Sequence, residues 1–187
     1  MMRLTGGKDR SRLIKAPRQK GIRPTLDKIR KAIFDILQDE IIGKEILDLF
    51  SGSGAIGLEA ISRGAEKVYF VEKERICVDT IVENVKSLRY EDKAYVLYED
   101  IFKAFRDFNK NKKKFDIITM DPPYGRFLAK KALLKILTYD IIKNSSLIVI
   151  EHSKTEKLPE RIGTIQLYKR SSYGDTALSF YKNSLGK

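Results

Sequence analysis

The sequence predicts an α/β protein whose mostly parallel sheet is wound by helices and closed by an antiparallel C-terminal hairpin. Three observations carry this. From residue 45 onward, short apolar runs at 46–50, 68–71, 95–98, 115–120 and 147–150 alternate with helical patterns at 55–63, 75–88, 101–108 and 128–137. Strands separated by crossover helices pair in parallel. A glycine-rich loop, Gly52-Ser53-Gly54-Ala55-Ile56-Gly57, joins the first of these strands to its helix, the place where such sheets bind nucleotides. Finally, residues 164–169 and 177–182 flank Ser-Ser-Tyr-Gly-Asp and read as a hairpin, which brings the expected sheet to seven strands.

Ahead of this pattern, residues 1–24 form a basic arm. Gly6-Gly7 separates two short segments, 3–5 and 12–15, that suit a small hairpin, and a Pro- and Gly-punctuated stretch follows to Pro24. Thr25 offers an N-cap oxygen, and Leu26, Ile29, Ile33, Ile36 and Leu37 recur at helical spacing. The organisation read from these signals is an arm over 1–24 and one main domain over 25–187.

Composition bounds the class. A chain of 187 residues forms one core that buries about 70% of its unfolded surface without disulfides. Cys77 is the only cysteine, no secretory pattern opens the chain, and no apolar run reaches the roughly 20 residues of a membrane helix. A monomer in a reducing cytoplasm is the expectation. The net charge is +12, and residues 1–31 hold eleven Lys or Arg against two Asp. Solubility alone would not gather charge at one end, so a polyanion is the expected partner, with Arg3, Lys8, Arg10, Arg12 and Arg23 of the arm as its contacts. A second basic cluster runs from Lys103 to Lys114.

The glycine loop lets backbone approach a nucleoside with no side chain in the way. A nicotinamide dinucleotide would set its pyrophosphate at the helix N-terminus. Asp48, at the end of the preceding strand, opposes that anion and suits a cation such as the aminoacyl nitrogen of S-adenosylmethionine. Glu72 ends the next strand, where an acid accepts from ribose hydroxyls. Asp100 ends the third, placed to accept from an adenine amino group or to cap the following helix.

Asp121, Pro122, Pro123 and Tyr124 follow the fourth strand. An exocyclic amine on a nucleobase is a weak nucleophile because its lone pair is delocalised into the ring. The Asp121 carboxylate and the Pro122 carbonyl can accept its two N–H bonds and draw the nitrogen toward a tetrahedral shape, while consecutive prolines stiffen the backbone. Tyr124 offers a ring to the base, and such stacking contributes about 1–3 kcal/mol. Cys77 lies within a predicted helix and reads as a small apolar filler rather than a nucleophile. His152, the single histidine, could serve as a base beside the site but reads rather as a satisfied or solvated histidine after the fifth strand, and with Cys77 it makes too few groups for a metal site.

These residues resemble the small-subunit rRNA guanine-N2 methyltransferases, the RsmD-type enzymes. The likeness rests on Arg3-Leu-Thr-Gly-Gly-Lys-Asp-Arg-Ser-Arg12, on Gly21-Ile-Arg-Pro-Thr25 with Lys28, Arg30 and Phe34, on the Asp48 to Ala60 loop, on Glu72, and on Asp121 to Tyr124. Lys31 and Asp9 depart from the family pattern, which has an acid at the first position and none at the second. The resemblance implies a Rossmann-like class I methyltransferase fold, S-adenosylmethionine as methyl donor, and a guanine of 16S rRNA, within a small-subunit assembly particle, as acceptor. It further implies that Asp48, Phe50, Ser51, Gly52, Gly54, Glu72, Lys73, Asp100 and Ile101 hold the cofactor, and that Asp121 to Tyr124 hold the base. A DNA adenine-N6 methyltransferase shares the Asp-Pro-Pro-Tyr element but commonly adds a module to read base edges. Protein glutamine methylation and a non-catalytic RNA-binding assembly factor are the other readings.

Overall fold

A computed structural model describes residues 2–17, 27–123 and 127–184. Arg23, the Thr25 cap and Tyr124 lie outside the described residues. Backbone compactness divides the chain into two units, at Ile101 and Phe102, and the N-terminal arm belongs to the first.

In the first unit, β1 (Met2–Arg3) pairs antiparallel with β2 (Leu13–Ile14), the expected arm hairpin. Helix α1 (Asp27–Leu37) buries Ile29, Ile33, Phe34 and Leu37 at the spacing of one apolar face. Strand β3 (Glu45–Leu49), helix α2 (Ala55–Ser62), strand β4 (Lys67–Glu72), helix α3 (Arg75–Leu88) and strand β5 (Ala94–Tyr98) then form consecutive crossover units. The strands are parallel in the order β5-β4-β3, with Leu49 opposite Val71 and Glu72 opposite Tyr98. Every residue of α2 is buried, Glu59 included. A helix enclosed on all sides needs cover on its outer side as well as a sheet beneath, and the arm supplies it.

Helix α4 (Ile101–Lys110) begins on the last residue of the first unit, and the second unit holds the rest of it, followed by β6 (Phe115–Met120), α5 (Leu128–Thr138), β7 (Ile142–Ser153), β8 (Arg161–Ile162), β9 (Ile165–Tyr173) and β10 (Thr176–Asn183). β6 and β7 are parallel; β7, β10, β9 and β8 are antiparallel neighbours in that order. The expected α/β class, parallel strands followed by an antiparallel C-terminal hairpin, is what the structure shows. Two details differ. Among the described residues the second unit holds five strands where four were expected, because Arg161–Ile162 turns back on Ile165–Gln166 as an extra two-residue strand. The hairpin turn is Gly174-Asp175 alone, since Tyr173 pairs with Thr176 and Gly174 supplies the positive φ of 63° that a two-residue turn demands. Among the described residues, no helix is long and apolar enough to cross a membrane.

Candidate active site

The loop after β3 is built from left-handed residues. Phe50, Gly52 and Gly54 have φ of 56°, 54° and 75°. For a bulky residue such as Phe50 that conformation is costly and recurs where backbone shape serves a site. Ser51 Oγ donates to the Asp48 and Val71 carbonyls at 2.7 and 3.3 Å, tying the loop back to β3 and β4. Asp48 is 2% exposed and accepts the Gly57 N–H at 3.3 Å. Gly57 is obligatory for another reason, because a Cβ there would stand 2.3 Å from the Phe70 ring.

Glu72 closes the loop from the next strand. Its Oε2 accepts the Gly52 N–H at 2.8 Å, and its Oε1 accepts those of Lys73 and Glu74 at 2.8 and 3.0 Å. Three donors occupy three of roughly four acceptor positions on a carboxylate, which fixes the side chain and leaves capacity for a hydroxyl. A Cβ on Gly52 would meet nothing nearer than the Phe50 carbonyl at 3.9 Å, so the rim is open beside that acid. Glu99 N donates to the Glu72 carbonyl at 3.0 Å, which brings the β5 terminus, exposed Asp100 and buried Ile101 alongside. The ends of β3, β4 and β5 thus gather Asp48, Phe50, Ser51, Gly52, Gly54, Glu72, Lys73, Asp100 and Ile101, a set that fits an adenosyl nucleoside.

The arm is joined to this loop by a cluster not legible from motif spacing. Arg30 and Glu59 are both fully buried and pair at 2.6 Å. Arg30 also donates to the Arg3 carbonyl and, at 2.8 Å, to Asp27. Glu59 further accepts the Thr5 N–H at 3.0 Å, the Thr5 hydroxyl, and Arg63 at 2.9 Å. At the end of α2, Lys8 N donates to the Ser62 carbonyl at 2.8 Å, and Ser62 Oγ donates to Gly6 O and accepts from Asp9 N. The arm therefore satisfies carbonyls that a helix end leaves orphaned. Gly6-Gly7, read as the hairpin turn, does more: a Cβ on Gly7 would lie 2.1 Å from the Ser62 carbonyl oxygen. Asn84 of α3 exchanges hydrogen bonds with Lys15 N and O at 2.7 and 3.0 Å, and donates to Ser53 O of the glycine loop at 3.2 Å. Asp9, the unexpected acid, accepts the Tyr90 hydroxyl at 2.5 Å. Burial, and then this carboxylate, push the Tyr90 hydroxyl well above the ordinary phenol range.

Of the arm cations, Arg3 and Arg10 are exposed. Arg12 donates to the Ser87 carbonyl at 2.8 Å, and Lys8 lies over the Tyr90 ring at 5.1 Å, so these two also hold the arm down.

In the second unit, Asp121 follows β6 half-buried, with Pro122 buried and Pro123 exposed. His152 is 1% exposed; Nδ1 meets the Ser153 carbonyl at 2.9 Å and Nε2 meets Ser179 Oγ at 2.8 Å. The ring is satisfied, and burial lowers its pKa below the ordinary 6.5. Burial likewise raises the Cys77 thiol, in the first unit, to about 11, with Glu72 and Glu74 adding to the shift.

The chain has the fold found in S-adenosylmethionine-dependent methyltransferases. Solved methyltransferases with S-adenosylhomocysteine bound share it at 15–16% identity and TM-scores of 0.65–0.68, a likeness that concerns fold alone. More narrowly, residues 2–182 match the family described as "Conserved hypothetical protein 95", and the chain belongs to it. It is 34% identical to YlbH of Bacillus subtilis, which carries a provisional rRNA methyltransferase name, over 97% of this chain and 98% of that protein. It is 28% identical to ribosomal RNA small subunit methyltransferase D of Escherichia coli K12, over 97% of this chain and 89% of that one. The solved yhhF structure from Escherichia coli, provisionally named a methyltransferase, superposes with a TM-score of 0.86 at 28% identity, covering 99% of each chain. This is the RsmD-type family that the motifs resemble.

Proposed function

We propose that this protein transfers a methyl group from S-adenosylmethionine to the exocyclic N2 of a guanine in 16S rRNA, acting as a monomer on a small-subunit assembly particle. The observation that carries the reading is the anchored Glu72 carboxylate beside the open Gly52 rim, in a chain that matches the family over residues 2–182. S-Adenosylmethionine, when bound, supplies an electrophilic methyl on a sulfonium.

The protein's own part is positional. Glu72 holds the ribose, Asp100 and Ile101 border the adenine, and Asp48 with the loop at 50–54 sets the aminoacyl end. The Asp121 carboxylate and the Pro122 carbonyl accept the N–H bonds of the guanine amine and turn its lone pair outward. Orientation of this kind accounts for roughly 7–11 kcal/mol of barrier in aligned systems. Asp121 then takes the released proton, directly or through water.

The test is transfer of a tritiated methyl to purified 16S rRNA and to 30S particles, with mass spectrometry of rRNA from a deletion strain to locate the missing modification. Incorporation as N2-methylguanine is the expected result. Methylation of DNA adenine, or RNA binding without any transfer, overturns the proposal in favour of the other readings.

A further inference from the structure

The second basic cluster of the sequence lies largely on helix α4. Helix α4 turns Ala104, Phe105 and Phe108 inward and Lys103, Arg106 and Lys110 outward, at the i, i+3, i+7 spacing of one face. Helix α5 lies beside it. Lys131 Nζ sits 4.7 Å from the Phe102 ring centre, the Phe105 and Tyr139 rings are 6.2 Å apart, and Asn109 Nδ2 donates to the Tyr139 carbonyl at 2.8 Å. Contacts that advance together along both helices make them run side by side in the same direction. Packed helices stand about 8–10 Å apart, so the face carries two rows of cations.

These charges are not consumed within the protein. Asp107, the one acid on the α4 face, pairs with Lys103 at 3.2 Å, and Asp140, just beyond α5, pairs with Lys114 at 2.6 Å. Among the described residues, Arg106, Lys110, Lys112, Lys130, Lys131 and Lys135 have no carboxylate partner. Two of them are steered rather than loose: Lys131 rests over Phe102, and Lys135 lies 5.8 Å from the Tyr139 ring centre. A cation seated on a ring face keeps N–H bonds free for a further acceptor. Lysines are point charges suited to phosphate, and a face whose described residues include a single Arg fork, Arg106, is poorly equipped to read base edges. The apolar side of α4 is packed inward, and the exposed apolar side chains of α5, Leu134 and Phe127 at its start, stand singly beside lysines rather than as the broad apolar face that a lipid surface takes up.

We infer that the α4–α5 face is a second RNA-contact surface, distinct from the N-terminal arm, that grips the phosphate backbone of the folded substrate RNA without regard to sequence. It rests on the rRNA methyltransferase reading above. Its role is to add contacts on helical RNA, whose shape and phosphates, not its bases, are presented to a protein.

The experiment measures binding of a 16S rRNA fragment by wild type and by the triple variant Arg106→Gln, Lys110→Gln, Lys131→Gln between 50 and 200 mM salt. Each lost phosphate contact removes about 0.7–0.9 from the slope of log K against log salt. The triple variant should therefore lose about two units of slope and bind at least tenfold more weakly, with S-adenosylhomocysteine affinity and melting temperature unchanged. Lys110→Gln with Lys112→Gln, away from the aromatic seats, should show a smaller loss of the same kind and serves if the triple variant misfolds. Wild-type slope and affinity in both variants overturn the inference while wild-type methyl transfer keeps the enzyme reading intact. Absence of RNA binding and transfer by wild type itself overturns both. Wild-type binding to anionic phosphatidylserine vesicles that the triple substitution abolishes would reassign the face to membranes and likewise overturn it.

Discussion

Replacing Glu59 with Ala should release the arm and destabilise the protein by an amount that the structure sets. Glu59 accepts from the Thr5 N–H and hydroxyl, from Arg30 Nε at 2.6 Å and from Arg63 Nε and Nη2 at 3.1 and 2.9 Å. Without it Arg30 stays 0% exposed, with only the Arg3 carbonyl and the 62% exposed Asp27 as partners. Stranding one member of a buried ion pair costs about 3–5 kcal/mol. Arg63 is partly exposed and turns to water, which adds little. At about 2–4 °C per kcal/mol for a chain of this size, the melting temperature should fall by roughly 6–20 °C in calorimetry. Native-state hydrogen exchange should lose protection at the Thr5 and Lys8 amides before those of β3 and β4. The double variant Glu59→Ala, Arg30→Met should recover much of the loss, because no uncompensated charge is left buried. A loss under about 1 kcal/mol in the single variant, or a double variant no more stable than the single, would refute the reasoning.

Asp121→Ala should abolish methyl transfer while leaving S-adenosylhomocysteine affinity within about threefold by calorimetry; parallel loss of both would mean that the two halves are wrongly assigned. Gly57→Ala drives a methyl to 2.3 Å from Phe70, and overpacking of this kind costs about 1–3 kcal/mol, measurable by urea denaturation together with weaker cofactor binding. His152 has a lowered folded-state pKa, so below the ordinary 6.5 the unfolded chain takes up a proton that the native protein refuses. Its contribution is present above that pH and is lost as pH falls toward the folded-state value; the fall in stability between about pH 7 and 5 should be shallower in His152→Gln. Cys77, buried with its pKa raised to about 11, should resist iodoacetamide at pH 8 until the protein is unfolded, a point checked by mass spectrometry.

Much of the architecture was legible because the apolar periods are strong. Helix α3 and strand β6 have the predicted bounds, and α2, β3, β4 and β5 shift by a residue or so at their ends. The glycine loop was legible for a related reason, since a tight strand-to-helix turn calls for residues that accept positive φ. The arm's attachment was not. Glu59 reads as an ordinary solvated helix position, and nothing in local spacing says that residues 2–17 cover it. One signal was available: Ala55-Ile-Gly-Leu-Glu-Ala-Ile-Ser62 is apolar on nearly every side, so an acid within it requires both a cover and a cationic partner. Arg30, on the helix following the arm, is that partner. The hairpin turn was misjudged because Ser171, Ser172 and Tyr173 carry turn-compatible side chains while the backbone needed only Gly174.

The junction of arm and glycine loop limits how the arm can be exchanged. Met2 lies with its sulfur 3.7 Å from Ser53 Oγ, and Asn84 bonds both Lys15 and Ser53. Exchanging the first seventeen residues for those of a paralogue would disturb the backbone of the glycine loop unless Arg30, Glu59, Asn84 and Tyr90 travelled with them. A change in the arm is felt at the glycine loop in this chain.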